Sequence, residues 1–480
     1  MNKYEQYKPS GVEWLGEVPE HWGICRLKNT CTIYNGATPS SANPDYWDGE
    51  IIWVTPKDIN NQKFIATSER KITEEGFQNC GTNIVPKGSV ILTTRAPIGK
   101  VAVAEQELCT NQGCKSLVIN EKIKSHFLYY LLASSNERLN TLGTGTTFME
   151  LGAAALGSIK IALPPIEEQT TIAAYLDERT AYIDRLIAKQ QALSEKLSEK
   201  RTALITEAVC GRVKISPSPS LQKRGTSPSE NNAQSENNAQ SSKHHETAPL
   251  FSKEGLGEIC FKDSGIQWLG EISEHWEVEK TKFHFDFSKG LTITKESLVD
   301  DGIPCVNYGE IHSKFGFEVK PEIHDLKCVP SEYLEHSQFA LLKKGDFVFA
   351  DTSEDVKGSG NFTYLNSNIP TFAGYHTIIA RLIQNHNSRF LAYVFNSEPF
   401  RNQIRTQIKG VKVFSITQAI LKNTFVWLPP IEEQTAITTY LDTETAKIDR
   451  LQAKIGESVE RLKEYRAALI TQVVTGKVKV

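Results

Sequence analysis

The chain has 480 residues, of which 39% are hydrophobic and 23% are charged, and its formal net charge is -3. This length indicates two or three domains, and the near-neutral charge excludes a uniformly basic nucleic-acid binder. No apolar run approaches the roughly 20 residues that a membrane helix needs, and the opening residues lack the apolar core of a signal peptide. The nine cysteines contain no CxxC pair, which indicates reduced thiols in a cytoplasm rather than disulfides or structural zinc.

The chain opens with a tryptophan-bearing segment that returns in its second half. The motifs WLGE at 14–17 and EHW at 20–22 recur at 268–271 and 274–276, at a constant offset of 254. This recurrence predicts that each copy marks the beginning of a domain. The sequence then alternates short β-branched runs with Gly, Pro and Asn, and a helix is expected near 126–142. We therefore predict a first α+β domain over residues 1–162.

Residues 163–215 form a segment that returns at 428–480. The offset is 265 with no gap, and roughly 32 of the 53 positions are identical. The opening LPPIEEQ suits a first helical turn, because proline loses no hydrogen bond there and carboxylates favour the positive end of the helix dipole. Gly211 and Gly476 stand where a helix end is expected. Each copy is therefore predicted to form one long helix.

Apolar residues recur every seven positions along both helices, which is the pattern of a seam that faces a partner helix. The residues expected in this pairing are Leu176, Ile183, Leu197, Leu204, Leu441, Ile448, Ile455, Leu462 and Leu469, with Gln190 filling one place in the series. We predict that the two helices pair with each other as an antiparallel coiled coil, which gives the chain a pseudo-two-fold internal repeat. The alternative is two surface helices that pack separately on two domains.

Residues 216–255 differ from the rest of the chain in composition. They are built from Ser, Pro, Asn, Gln and Glu, with SENNAQ doubled in tandem. Such a segment buries too little apolar surface to offset its ordering entropy, so we predict a disordered low-complexity linker. His244 and His245 within it are expected to be solvated rather than bound to a metal. A second α+β domain is predicted at residues 256–427, with a helix near 388–408.

The sequence contains none of the catalytic motifs sought in it. There is no GxxxxGK[ST] loop, no HExxH and no GxSxG elbow. The segments at 163–166 and 428–431 share two prolines with the Asn/Asp-Pro-Pro-aromatic motif of amino-methyltransferases, but leucine and isoleucine replace its polar and aromatic residues. We therefore assign no catalytic residue and no metal ligand, and expect this chain to bind rather than to catalyse.

In the paired order of these features the chain resembles the DNA-specificity subunit of Type I restriction–modification systems. The resemblance rests on the two LPPIEEQ helices, the two WLGE and EHW segments and the two unlike α+β domains. Further similar segments are GATPS at 36–40, WVTPKDI at 53–59, TNQG at 110–113, GLTITK at 290–295 and GDFVFAD at 345–351. The resemblance covers nearly the whole chain except the linker at 216–255, which is longer and more polar than the family pattern.

The resemblance implies different roles for this chain and for its partner subunits. In this family each α+β domain is a target-recognition domain that reads one half of a split sequence in double-stranded DNA. The paired helices separate the two domains as a ruler and dock two methyltransferase subunits, and two translocase–nuclease subunits complete the restricting form. S-adenosylmethionine and ATP with Mg²⁺ belong to those partners, so no cofactor is expected in this chain. No membrane contact is implied.

Polar and basic residues in glycine-containing turns are the expected DNA contacts, because such side chains pair with phosphates and base edges. In the first domain they are Thr38, Ser40, Ser41, Lys57, Arg95, Asn111, Gln112, Thr144 and Thr146. In the second domain they are Lys289, Thr292, Thr294, Lys295, Asn307, Tyr308, Lys357, His376, Lys409 and Lys412. The alternative for each residue is an ordinary solvated loop position, or an Asn or Thr that completes a turn.

Two other classes of function stay open at this point. The chain could be a fused DNA methyltransferase or nuclease with unrecognised motifs, which methyl transfer by the purified chain alone would support. It could also be a coiled-coil scaffold with no DNA partner, which specific retention of a bipartite duplex by the methyltransferase complex would exclude.

Overall fold

In a computed structural model of the chain, the described residues are 2–60, 62–95, 97–144, 149–213, 215, 260–410 and 412–480. The predicted linker at 216–255 and Thr146 lie outside these ranges. The chain divides into two compact units: unit 1 comprises Met1–Leu193 and Lys454–Val480, and unit 2 comprises Ser194–Ala453. No helix in the described ranges is long and apolar enough to span a membrane.

The central sheet of unit 1 has five strands within the described residues. In spatial order these strands are Cys31–Asn35, Cys114–Ile119, Val90–Thr93, Val101–Ala104 and Phe64–Ile65. Neighbours are antiparallel except for the last pair, which is parallel. Beside it, Trp47–Val54 pairs in parallel with Cys109–Thr110 and antiparallel with Lys71–Ile72. Val90–Thr93 and Val101–Ala104 are buried at every position, as their near-continuous apolar sequences predict.

Unit 2 repeats this topology with a different sequence. Its five strands within the described residues are, in spatial order, Phe285–Lys289, Thr377–Leu382, Phe347–Ala350, Phe362–Leu365 and Glu318–Val319. The pairing directions match those of unit 1, including the parallel last pair. Its second sheet pairs Ile303–Val306 in parallel with Thr371–Ala373 and antiparallel with Cys328–Val329, and Thr371–Ala373 also pairs with Leu341–Leu342. The prediction of an α+β fold with an internal repeat is therefore confirmed.

Short strand pairs and helices complete the two units. The two-stranded pairs are Tyr7–Pro9 with Glu17–Pro19, Gly23–Arg26 with Lys160–Leu163, Phe261–Asp263 with Glu271–Ser273, Glu277–Lys280 with Phe425–Leu428, and Thr352–Ser353 with Phe414–Ser415. The shorter helices are Glu74–Gln78, Ser125–Ala133, Asn136–Thr141, Ala153–Ser158, Tyr308–Ser313, Tyr333–His336, Ser388–Asn396, Glu398–Arg405 and Gln418–Asn423. Single-turn 3-10 helices lie at Leu27–Asn29, Pro44–Tyr46, Thr281–Phe283, Lys295–Ser297 and Gln338–Ala340.

Each helix expected near 126–142 and near 388–408 is two helices in the structure. In unit 2 the break falls at Ser397, which has an extended backbone, and the next helix carries a proline in its first turn. Pro399 has no amide hydrogen to donate to the carbonyl four residues earlier, and its ring clashes with that carbonyl, so a single continuous helix does not form there.

The first long helix spans Ile166–Val209 and the second spans Ile431–Val474. Two prolines separate each helix from the strand before it, and their missing amide hydrogens cost nothing at a helix start, where those hydrogens have no partner within the helix. Gln169, which is fully buried, fixes the first turn by donating to the carbonyls of Pro164 and Lys122 at 2.9 and 3.0 Å. Gln434 repeats the contact with Pro429 at 2.8 Å in unit 2.

The two long helices contact each other inside both units. In unit 1, Gln190 Nε2 donates to Ser458 Oγ at 3.0 Å and Arg466 Nε lies 2.9 Å from Asp184 Oδ1. Residue numbers thus fall along one helix as they rise along the other, which is antiparallel pairing. In unit 2, Arg201 Nε likewise lies 2.9 Å from Asp449 Oδ1.

The apolar seam of the helices is buried unevenly. Leu176, Ile183, Leu441, Ile448 and Leu469 are at most 7% exposed. The remaining predicted pairing residues, Leu197, Leu204, Ile455 and Leu462, are only partly buried. Leu176 and Leu441 belong to the cores of units 1 and 2, respectively, together with side chains of the α+β domains. Leu469, near the end of the second helix, also belongs to the core of unit 1, so the deepest heptad positions lie where the helices pack on a globular core.

Candidate nucleic-acid interface

The turns that carry the predicted DNA contacts of unit 1 are held together by backbone hydrogen bonds. Ala37 N donates to Thr110 O at 3.0 Å, and Asn111 N donates to Val54 O at 2.9 Å. Thr94 N donates to Gly113 O at 2.8 Å. We call residues 36–41, 55–58, 94–95, 111–113, 144 and 149–150 the first loop cluster. It brings together eight of the nine contacts predicted in this half, and Thr146 lies outside the described residues.

Gly36 is required for the close approach of two of these loops. A Cβ atom at this position would collide with the backbone carbonyl of Asn111. Two indoles hold the same loop from its buried side, since Trp53 Nε1 donates to Ala37 O at 2.9 Å and Trp47 Nε1 donates to Ser40 O at 3.2 Å. The backbone of the loop is therefore held at these two carbonyls, while the hydroxyl-bearing side chains of the loop are exposed.

Most of the predicted side chains of the first loop cluster are exposed. These are Thr38, Ser40, Ser41, Lys57, Arg95, Gln112 and Thr144. Thr38 Oγ1 donates to Gln112 Oε1, so the Gln112 amide group is turned with its NH₂ free to donate elsewhere. Asn111 is half-buried, and its Oδ1 accepts from Gly113 N at 2.9 Å. Asn111 therefore closes the turn that presents Gln112.

Arg95 is held by an acidic partner that the sequence did not single out. Its Nη2 atom lies 2.9 Å from Glu150 Oε2, and both side chains are nearly half exposed. Glu150 pairs through its backbone with Thr144 at 3.0 Å. The nearby Lys115 is buried, which lowers its pKa; Glu150 opposes this shift and Arg95 adds to it. A phosphate or a guanine edge that approached Arg95 would compete with Glu150 for the guanidinium group.

Unit 2 builds the same loop arrangement from other residues. Leu291 N donates to Ala373 O at 2.8 Å, and Gly374 N donates to Val306 O at 2.8 Å. Gly290 is required as Gly36 is, because a Cβ atom there would collide with Gly374 O. We call residues 289–295, 307–308, 351–358, 374–376, 409–410 and 412–415 the second loop cluster.

The strand pairings relate the two loop clusters residue by residue. Cys114 pairs with Thr93 in unit 1, and Thr377 pairs with Ala350 in unit 2. By this register Gln112 corresponds to Tyr375, and Gly113 corresponds to His376. The bridge between Thr144 and Glu150 likewise corresponds to the bridge between Lys409 and Ser415. The two clusters thus share a backbone arrangement and differ in the groups they present.

Aromatic and imidazole groups dominate the second loop cluster. The Tyr308 ring lies 5.6 Å from that of Tyr375 and 5.3 Å from that of His376, measured between centroids. His376 Nδ1 lies 3.1 Å from Asp351 Oδ1. The Tyr308 and His376 rings border an open cleft of about 570 Å³. The exposed polar and basic residues of this cluster are Lys289, Thr292, Thr294, Lys295, Lys357, His376, Lys409 and Lys412.

Asn307 does not occupy the exposed turn position that the sequence predicted. It is 3% exposed and caps the helix Tyr308–Ser313, exchanging hydrogen bonds with Glu310 in a capping box. Its amide also packs against Gly374. Because its polar atoms are engaged with the backbone and with Glu310, Asn307 positions the loop and offers no group to a base.

Several residues of the two clusters were missed by sequence reasoning. They are Glu150, Asp351 and Tyr375, and His312 in the lining of the adjoining cleft was missed as well. Only the strand register reveals that Tyr375 stands where Gln112 stands in the other half, since the surrounding residues differ. A search for carboxylates near the basic candidates would not have found Glu150, which is 55 residues from Arg95.

No group of three His, Cys, Asp or Glu side chains suited to a metal ion occurs within the described ranges. The groups that the clusters present are hydroxyls, amides, ammonium and guanidinium groups, imidazole and carboxylates such as those of Glu150 and Asp351. These are donors and acceptors for phosphates and base edges, and they do not form an acid–base pair around a nucleophile.

Comparison with known proteins places this arrangement among restriction systems. A family model described as Type I restriction modification DNA specificity domain matches residues 19–195 and 273–461. The MjaVIII specificity subunit of Methanocaldococcus jannaschii is 22% identical over 468 residues, covering 96% of this chain and 94% of that protein. The MjaIX specificity subunit of the same organism is 39% identical over 191 residues, covering 38% of this chain and 43% of that protein.

Two further comparisons agree with these matches. The EcoR124I/EcoR124II specificity subunit of Escherichia coli is 30% identical over 181 residues, covering 36% of this chain and 42% of that protein. The chain therefore spans less than half the length of this relative and of the MjaIX subunit. A solved structure from a study of complex assembly in the type I R-M system has a TM-score of 0.67 at 17% identity, covering 96% of this chain and 99% of that one. This similarity concerns the fold.

Proposed function

The chain belongs to the family of type I restriction–modification DNA specificity domains, and from this membership we propose that it reads a bipartite DNA sequence for a complex that modifies and cleaves DNA. The observation that carries the proposal is the presence of two loop clusters with one backbone arrangement and different side chains. Such a pair suits two half-sites of different sequence. A fused enzyme or a scaffold without DNA finds no support in this family membership.

Each loop cluster offers the two kinds of contact that sequence-specific binding needs. Exposed lysines such as Lys57 and Lys409 suit phosphate oxygens, which position a protein but carry no sequence information. Gln112 in the first cluster suits adenine, and Arg95 suits guanine. A net charge of -3 is tolerable if partner subunits supply much of the electrostatic attraction to DNA.

The chemistry would then belong to partner subunits in a cytoplasmic complex. Two methyltransferase subunits would bind S-adenosylmethionine and extrude the target adenine, because a base inside a duplex is out of reach of a catalytic site. Two translocase–nuclease subunits would use ATP and Mg²⁺. This chain would fix which adenine the methyltransferases reach.

An exchange of domains tests the proposal. Residues 27–162 are replaced by the equivalent residues of another specificity subunit, and the methylated sites are mapped in cells that also carry the methyltransferase. One half of the recognised sequence should change, while the half read by unit 2 stays the same. A change in both halves from a folded, active complex would contradict independent reading. The purified chain alone should transfer no methyl group.

A further inference from the structure

His376 holds a backbone conformation that a histidine seldom adopts. Its φ angle is +55°, and among the described residues the only other non-glycine residue with a positive φ is Asp48. The left-handed region brings the Cβ of most residues too close to the backbone, so it costs stability unless glycine occupies it. By strand register the equivalent residue of unit 1 is Gly113, which is not among the glycines with a positive φ. The conformation is therefore particular to His376, and a strained histidine points to a role for its side chain.

The imidazole of His376 is fixed on one side and free on the other. Asp351 Oδ1 lies 3.1 Å from Nδ1, and a carboxylate can only accept, so Nδ1 carries the hydrogen. Tyr308 and Tyr375 lie nearly perpendicular to the ring at 5.3 and 6.0 Å. Nε2 has no hydrogen-bond partner among the described residues, and the side chain is 56% exposed. Nε2 therefore presents an oriented acceptor to the outside of the cluster.

The other histidine of this cleft is not available in the same way. His312 Nε2 lies 2.8 Å from Thr352 O, and its Nδ1 lies 3.0 Å from Asn361 Nδ2. Both ring nitrogens are thus engaged inside the protein. Lys409 and Lys412, on the loop that runs beside the cleft towards Val413, are exposed and suited to phosphates. The cleft therefore combines the free Nε2 of His376 with the carboxylates of Glu354 and Asp355 in its lining and with the two lysines beside it.

We propose that His376 is a specificity-determining residue of the second loop cluster, and that its Nε2 accepts a hydrogen bond from the exocyclic amino group of one DNA base. The amino groups of adenine and cytosine are the donors that the major groove displays. Asp351 acts as a positioning residue, since it sets the tautomer and the direction of the ring. This inference rests on the proposed function, because it assigns one base contact to the half-site of unit 2.

The first test replaces His376 by glycine, which tolerates the observed φ. The full chain is assembled with its methyltransferase partner, and methyl transfer is measured on duplexes with both half-sites randomised. His376→Gly should lose discrimination at one position of the half-site read by unit 2, by about tenfold to a hundredfold, which is what one good base contact supplies. The half-site read by unit 1 should not change. His336→Ala, at an 80% exposed histidine, is the matched control.

A second test identifies the chemical group. At the position that His376→Gly relaxes, the adenine or cytosine of the duplex is replaced by an analogue without the amino group. With the analogue, methyl transfer by the wild-type complex should fall by about the same factor as His376→Gly lowers it on the natural duplex. Methyl transfer by the His376→Gly complex should not change with the analogue. An equal loss in both complexes would overturn the assignment of Nε2 to the amino group.

Failure of this inference is distinguishable from failure of the proposed function. If the wild-type complex shows a bipartite preference and His376→Gly shows the same preference at every position, the inference is wrong and the proposed function stands. If the wild-type complex shows no sequence preference, the proposed function itself fails. A thermal melt of the variant checks that the chain remains folded.

Discussion

Trp22 donates its indole hydrogen to Glu168 Oε1 across 3.2 Å, and so joins the EHW motif to the first turn of the long helix. Glu168 also accepts from Tyr4 Oη and pairs with His21 Nε2 at 2.9 Å. Unit 2 repeats the relationship between Trp276 and Glu433 at 3.3 Å. In each unit this hydrogen bond joins the EHW motif to the LPPIEEQ start of the long helix, and we call this Trp–Glu contact the lock.

The lock predicts a specific loss of stability in unit 1. Glu168→Ala should lower the free energy of unfolding by about 1–3 kcal/mol, because the buried Trp22 indole and its neighbours lose their acceptor. Chemical denaturation followed by tryptophan fluorescence measures the change. Glu167→Ala, at the exposed preceding residue of the same helical turn, is the control and should have little effect. Equal effects of the two substitutions would contradict the lock.

Two glycines of the second long helix region should respond oppositely to alanine. Gly476 follows the helix with a φ of +73°, and a Cβ there would collide with Pro19 and lie 3.1 Å from Trp22 Cζ3. Gly476→Ala should cost at least about 1–2 kcal/mol of unfolding free energy. Gly456 lies inside the helix with open space around it, so Gly456→Ala should raise the free energy of unfolding by about 0.5–1 kcal/mol. Urea denaturation measures the change in unfolding free energy for both variants, and changes of the same sign would refute this prediction.

Burial should decide how much stability is lost when leucines of the second long helix are truncated. Leu441 is fully buried in the core of unit 2, and Leu441→Ala should cost about 2–5 kcal/mol. Leu451 is 50% exposed on the same helix and in the same unit, and Leu451→Ala should change stability by less than about 0.5 kcal/mol. Melting temperatures of the two variants are the readout, and similar values would show that the seam is not where the structure has it.

Asp177 should make unit 1 sensitive to acid. Burial raises the pKa of this carboxyl group, but hydrogen bonds from Lys63 and from Tyr130 Oη at 2.6 Å outweigh that effect and leave the pKa below its usual value. A carboxylate with a lowered pKa in the folded state stabilises the fold above its unfolded pKa of about 3.9, and this stability is lost as the pH falls through the folded pKa.

Asp177→Asn should therefore be less stable than the wild type at neutral pH and should show a shallower loss of stability below about pH 4. Denaturation curves at a series of pH values measure both effects. Glu178→Gln, at the exposed neighbouring carboxylate, serves as the control. If Asp177→Asn loses stability below about pH 4 as steeply as the wild type does, this carboxyl group is not linked to folding.

The sequence alone predicted the features that depend on local pattern. The long helices follow from a 53-residue repeat with helix-start and helix-end signals, and they pair antiparallel as expected. The α+β class follows from short β-branched runs. The exposed positions of Thr38, Gln112 and Lys409 also agree with their turn-like surroundings. Their contact with DNA stays a prediction.

Features that depend on long-range strand pairing could not be predicted. Asn307 lies in a turn-like sequence, yet its amide caps a helix and packs on Gly374, which is 67 residues away. The correspondence of Gln112 with Tyr375 is invisible in an alignment because it is defined by backbone hydrogen bonds rather than by residue identity. The break at Ser397 was missed because the apolar pattern continues on both sides of it.

The hydrogen bonds that hold the loop clusters have an evolutionary consequence. Asn111 N with Val54 O and Gly374 N with Val306 O join main-chain atoms, so they do not depend on which side chains the loops carry. Apart from glycines such as Gly36 and Gly290, where a Cβ would collide, and the turn-holding side chains of Asn111 and Asn307, the loops can therefore accept new residues without loss of their shape. If the clusters read DNA as proposed, mutational drift in one cluster can then create a new target sequence while the fold and the other cluster are inherited intact.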